Sequence, residues 1–228
     1  MASAATAGAY LLVEGKDDKH VIQNLCTRHG LAIPVQEPNE RGGSRGGEAQ
    51  GGGISVLLAR VAARLKEPGM GTFGVVVDAD LEILPQWEAL RGRLRANGYR
   101  SAPTTPLQEG WISTETELRR VGVWLMPDNQ RPGILGDFVW TLLPADDRLR
   151  PKAEAVVAEI EQEELHRYPI THHAKALVRT WLAWQELPGQ PMGLAITAHA
   201  LRHDSPTALA FVAWLRRLFE LPVAAGVA

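Results

Sequence analysis

Residues 72–77 (TFGVVV) are almost wholly apolar, and the run stops abruptly at Asp78. A strand with one wet face alternates apolar and polar residues, so an unbroken run like this belongs to a strand covered on both faces. The flanking pattern agrees. Residues 9–13 (AYLLV) form a short apolar run, after which Val21, Ile22, Leu25 and Cys26 recur at helical spacing until Gly30. Residues 31–36 (LAIPVQ) read as a second strand, weakened or confined to an edge by Pro34. An amphipathic helix is expected over 54–67, another over 86–99, and a fourth apolar run at 121–126 (VGVWLM). Parallel strands need crossovers and crossovers are usually helices, so this β-α-β-α-β-α-β order predicts an α/β fold: a parallel sheet of about four strands between layers of helices. Beyond Gly133 only helical patterns remain, at 134–143, 152–166, 171–186 and 206–219. The expected organisation is an α/β domain over 1–145 and a helical C-terminal extension, 146–228, packed on it. The prolines and charges of 143–151 mark the boundary.

Composition narrows the function classes. With 45% apolar and 22% charged residues over 228 positions, the chain can bury a substantial core. No apolar stretch reaches the ~18 residues of a membrane span, and the first residues lack a basic region followed by a long apolar segment, so no membrane partner and a cytoplasmic location are expected. Cys26 is the only cysteine, which excludes an internal disulfide and a cysteine-rich metal site; its apolar helical setting predicts a buried, inert thiol. A formal charge of −2 argues against broad, nonspecific coating of nucleic acid and leaves room for a local basic groove.

Open parallel sheets bind ligands beyond the carboxyl ends of their strands, and there this chain concentrates acids. The first strand runs into Glu14, Asp17 and Asp18, the third into Asp78 and Asp80, the fourth into Asp128. Neighbouring strands lie ~4.8 Å apart, so carboxylates on adjacent ends repel each other unless something positive intervenes. Oxygen donors without His or Cys suit Mg²⁺ or Mn²⁺ rather than zinc. Metal-assisted phosphoryl chemistry follows as an expectation, with Glu14 as general acid or base. Asp17, Asp80 and Asp128 could each equally cap a helix or build a turn.

Glu14-Gly15 after an apolar strand, with Asp18 four residues beyond the Glu, and a later strand ending in Asp78-Ala79-Asp80, resemble the TOPRIM fold of topoisomerases, primases and overcome-lysogenization-defect nucleases. The stretches 121–129, 133–138 and 191–195 extend the similarity to a family of small stand-alone TOPRIM-like proteins. The resemblance implies that Glu14 is the acid/base residue, that Asp78 and Asp80 hold the metal, with Glu14 and Asp18 completing its oxygen donors, and that the reaction is phosphodiester cleavage of nucleic acid or a nucleotide. It equally allows a regulatory module that binds metal or nucleotide and acts with a partner such as an ATPase. Topoisomerases and primases continue D-x-D-x-x-G, whereas Ile83 stands at that Gly. Related small proteins often carry an acid before Asp137, where this chain has Gly136.

Other features weigh less. A haloacid-dehalogenase-type phosphatase places strand-D-x-D on its first strand, and a receiver-like phosphoacceptor does not account for Glu14-Gly15 or Asp80. Glycines and arginines in 41–53 could cradle a phosphate or form a flexible loop; no Gly-Lys-Ser/Thr ending makes this a P-loop. His199 and His203 are four apart but lack the intervening Glu of a metalloprotease motif, and the adjacent His172 and His173 carry little signal. Five glutamates in 154–164 read as a solvated face. Lys16, beside Glu14, is the favoured phosphate-facing cation among basic residues that include Lys19, Arg91, Arg119 and Arg120. Asp128 and Asp137 are additional rim candidates, and the tryptophan-bearing C-terminal helices could supply a homodimer surface.

Overall fold

The computed structural model describes residues 8–38, 54–66 and 71–222. The elements are β1 (Tyr10–Leu12), α1 (Lys16–Arg28), β2 (Val35–Gln36), α2 (Ile54–Arg64), β3 (Phe73–Asp78), α3 (Ile83–Ala96), β4 (Trp111–Ile112), β5 (Val121–Met126), α4 (Leu135–Trp140), α5 (Arg150–Gln162), α6 (His173–Leu182), α7 (Met192–Thr197) and α8 (Pro206–Leu218). A 3-10 turn, Ile170–His172, leads into α6. The five strands form one sheet in the order β2-β1-β3-β5-β4. All pairings are parallel except that of β4 with β5, and β3 and β5 pair from Phe73 opposite Val121 to Asp78 opposite Met126. This is an α/β fold of the Rossmann-like class.

Strand alternation produces two cores. Leu11, Val13, Val76, Trp124 and Met126 point to one face, where α1 and the helices after β5 cover them. Tyr10, Leu12, Phe73, Val75, Val77 and Val123 point to the other, beneath α2 and α3. The chain first moves from β1 outward to β2 and then back across to β3, so right-handed crossovers put α1 and α2 on opposite faces. On the first face the cluster joins Leu11 and Val76 to Ala153, Val178, Trp181, Phe211 and Trp214, so helices late in the chain complete the core of the sheet. Two glycines make this close approach possible. Gly74 and Gly122 face each other on β3 and β5, and a Cβ at Gly122 would stand 2.8 Å from both methyls of Leu218.

The sheet has five strands where the sequence pattern predicts about four. The additional strand, β4, is two residues long, lies in a loop without periodicity and runs antiparallel to β5; its Trp111 packs edge-on against Trp87 and Tyr99. Other differences have local causes. The second strand shrinks to Val35–Gln36, after Pro34. Ile83, where the resemblance drawn from the sequence would expect a glycine, is the first residue of α3 and packs against the second core. α7 has no counterpart among the helices expected from the sequence. It ends at Thr197, and His199 adopts a left-handed backbone (φ 62°), so His199 and His203 do not share a helix face. Cys26 is buried, and burial pushes its thiol up to about 12, in keeping with an inert side chain. The Gly-rich 41–53 lies outside the described residues. Among those described, no helix is long and apolar enough to cross a membrane.

Candidate active site

The strand order reverses between β1 and β3, because β1 leads away to β2 whereas β3 leads toward β5. That switch point is where an open α/β sheet leaves a crevice, and Glu14 and Asp78 flank it. Glu14 directly follows Val13, the last buried residue of the first strand's run, and its Oε1 accepts the backbone N–H of Asp78 at 2.8 Å. The two strand ends are thereby tied together. The Asp78 side chain reaches onward, its Oδ1 accepting the N–H of Leu135 at the start of α4 at 2.8 Å. Asp80 has a left-handed backbone (φ 52°), a conformation Asp tolerates better than most residues. Two backbone hydrogen bonds with Gly133, of 2.9 and 2.7 Å, hold it there, and its Oδ2 accepts from Gln86 at 2.9 Å.

Electrostatics show which acids share a field. Burial pushes Glu14 up to about 7, with Asp18 and Asp80 adding to the rise and Asp78 N–H opposing it. Burial likewise pushes Asp18 up to about 6. Asp78 is raised well above the ordinary carboxylate range, by burial and then by the charges of Asp18 and Glu14. Asp80, on the exposed rim, is raised by burial. The cation that opposes these shifts at Glu14, Asp18 and Asp80 is Lys175.

Four of the acids expected from the sequence, Glu14, Asp18, Asp78 and Asp80, thus come together. The others have different duties. Asp17 is exposed and pairs with Arg179 at 3.1 Å. Asp128 builds a turn, its Oδ1 accepting from Gln130 and Arg131 N–H while Oδ2 pairs with the Arg131 side chain at 2.7 Å. Asp137 caps the start of α4 through the Ile134 N–H at 2.8 Å, and it also lines a cavity with Asp80. Lys16 is exposed at the first turn of α1.

Lys175 has no local signal in the sequence. It stands on α6, remote along the chain, and reaches the rim because α4 and α6 pack closely at Gly136. A Cβ there would lie 2.9 Å from the backbone N of Lys175 and 3.0 Å from the carbonyl carbon of Ala174. The same contact explains why no acid occupies position 136. His173, one of an adjacent pair with little signal of its own, gains a role only in the fold. It opens α6, and its Nδ1 lies 2.8 Å from Glu161 Oε1, so one glutamate of the face expected to be solvated on α5 turns inward.

Among the described residues, no group of three or more His, Cys, Asp or Glu side chains is placed to hold a metal ion. The donor chemistry nevertheless fits a hard dication. All donors are carboxylate oxygens, and their common obstacle to ionisation is burial beside one another, which a positive ion relieves. Fold and site together define an α/β protein with neighbouring carboxylates at the switch point of its sheet. The family model described as "Protein of unknown function (DUF3226)" matches residues 8–220, and the chain belongs to that family. No curated protein and no solved structure gives a significant match.

Proposed function

We propose that the protein is a TOPRIM-like phosphodiesterase, cleaving nucleic acid or a nucleotide with Mg²⁺ or Mn²⁺, and that α5, α6, α7 and α8 form its C-terminal extension. The observation that carries this reading is the convergence of Glu14, Asp18, Asp78 and Asp80 on the switch point, tied by the Glu14–Asp78 hydrogen bond. Asp78 and Asp80, with Glu14 and Asp18, would hold the ion, which when bound supplies charge neutralisation of the phosphate and a more acidic water. The chain's own contribution is positional. Hydrogen bonds from Asp78 N–H and Leu135 N–H fix one oxygen each of Glu14 and Asp78, so the rim is organised before substrate arrives. Glu14 serves as the acid/base group, and Lys175 offers a cation to a phosphate oxygen.

The direct test is hydrolysis of bis(p-nitrophenyl) phosphate and of labelled DNA and RNA with Mn²⁺. Glu14→Gln is expected to abolish turnover with an unchanged circular dichroism spectrum, and Asp78→Asn to weaken Mn²⁺ binding in calorimetry. Equal cleavage by both variants and the parent chain would overturn the assignment. Metal binding without cleavage would favour the regulatory module acting with a partner ATPase.

A further inference from the structure

Beside the carboxylates lies a cavity of about 210 Å³, lined in part by Asp80, Leu81, Ile134, Asp137, Ile170 and His173. Its walls are mixed in an informative way. Leu81 and Ile170 are large apolar side chains left 68% and 60% exposed. Singly they would mean little, but here both border one hollow. Asp80 and Asp137 are its acidic groups, so a second anion would be repelled there. The Asp137 carboxylate is also engaged with the Ile134 N–H.

His173 is the polar feature with directional character. Its Nδ1 lies 2.8 and 2.9 Å from the two oxygens of Glu161, and Tyr168 OH donates to the same carboxylate at 2.9 Å. Nδ1 therefore carries the proton shared with Glu161, the ring is held in one orientation, and Nε2 makes no hydrogen bond to a described residue. A carboxylate that orients an imidazole while leaving its second nitrogen open is an arrangement for meeting a ligand.

We propose that this cavity is the subsite for the nucleoside adjoining the reacting phosphate, with Leu81 and Ile170 against the base or sugar and His173 Nε2 as its polar contact. The inference rests on the phosphodiesterase reading and names the substrate unit that reading leaves open. The occupant is not anionic, as the acidic groups require, and partly apolar, as the walls require, and a neutral base and sugar meet both conditions. The volume is below the ~300–1,000 Å³ typical of drug-sized pockets, in keeping with one nucleoside rather than a larger group. Its border with Asp80 puts a phosphate attached to that nucleoside beside the acids.

The test uses the full chain with Mg²⁺, titrated calorimetrically with deoxyadenosine 5′-monophosphate and, separately, with inorganic phosphate, while the His173 imidazole is followed by NMR. The nucleotide is expected to bind roughly tenfold more tightly than phosphate and to shift the His173 resonances. Ile170→Ser and His173→Gln should remove most of that advantage without altering phosphate or Mg²⁺ affinity, and Glu161→Gln should act like His173→Gln by freeing the ring. Ile170 and His173 are substantially exposed, so the variants are expected to fold. Equal affinities for the two probes, or an advantage that survives Ile170→Ser and His173→Gln, would overturn the subsite. Cleavage of bis(p-nitrophenyl) phosphate by a chain showing no nucleotide preference removes the subsite and keeps the proposed function. Nucleotide preference without cleavage of any substrate supports the subsite and removes the phosphodiesterase.

Discussion

At Glu14, burial and hydrogen bonding oppose each other. Burial pushes the carboxyl up to about 7 from an ordinary value of 4.5, whereas the Asp78 N–H favours its ionised form. The folded chain therefore retains a proton that the unfolded chain releases near pH 4.5. Between those values the native state binds more protons, so stability is fully present at the acid end of the window and is lost as pH rises through about 7. The shift is worth on the order of 3 kcal/mol for Glu14 alone, an upper figure before the site relaxes. Urea unfolding in EDTA is thus expected to show lower stability at pH 8 than at pH 5, Glu14→Gln to flatten that slope, and Mn²⁺ to restore stability at pH 8. A slope unchanged by the substitution would contradict this account. Lys175 acts in the opposite sense: it lowers the values of Glu14, Asp18 and Asp80, so Lys175→Met is expected to raise all three. Carboxyl ¹³C titration would measure the rise.

At the scale of elements, the site depends on how closely α4 and α6 approach. Gly136 lies against the backbone of Ala174 and Lys175, and a methyl group there must push the helices apart. Gly136→Ala is expected to cost ~1–3 kcal/mol, the usual range for overpacking, and to weaken Mn²⁺ binding as Lys175 and α4 shift at the rim. Gly92 supplies the control. It sits on the exposed side of α3, where an added methyl group would meet nothing within 4 Å, so Gly92→Ala should stabilise by ~0.5–1 kcal/mol through helix propensity and leave metal binding unchanged. Two equal losses would show that the packing at Gly136 has no special role. The same scale explains what the sequence concealed. β4 is too short to show a period, and α7 is six residues between a proline and a left-handed His199. Neither could be recognised from spacing, because each is stabilised by what packs on it.

At the scale of the whole molecule, the sheet and the late helices share one aromatic core. Trp124 on β5 lies 5.7 Å from Trp214 and 5.3 Å from Phe211, both on α8, and the buried Trp214 Nε1–H donates to the Trp111 carbonyl on β4. Trp214→Ala is expected to cost ~3–5 kcal/mol in urea unfolding, as for other fully buried large aromatics. It should also lower Mn²⁺ affinity only in proportion to the fraction unfolded, because the partners of Trp214, the Trp111 carbonyl and the rings of Trp124 and Phe211, belong to the core. What was legible in the sequence was local: apolar runs at 9–13, 72–77 and 121–126 identify buried strands, and Glu14, Asp78 and Asp80 stand directly at their ends, where chain direction alone delivers them to one edge. Strand order, the inward turn of Glu161, and the arrival of Lys175 and His173 on α6 depended on the tertiary structure. Periodicity reports which face of an element is apolar, whereas those features depend on which element that face meets, and contacts between distant parts of a chain leave no mark in the spacing of neighbours.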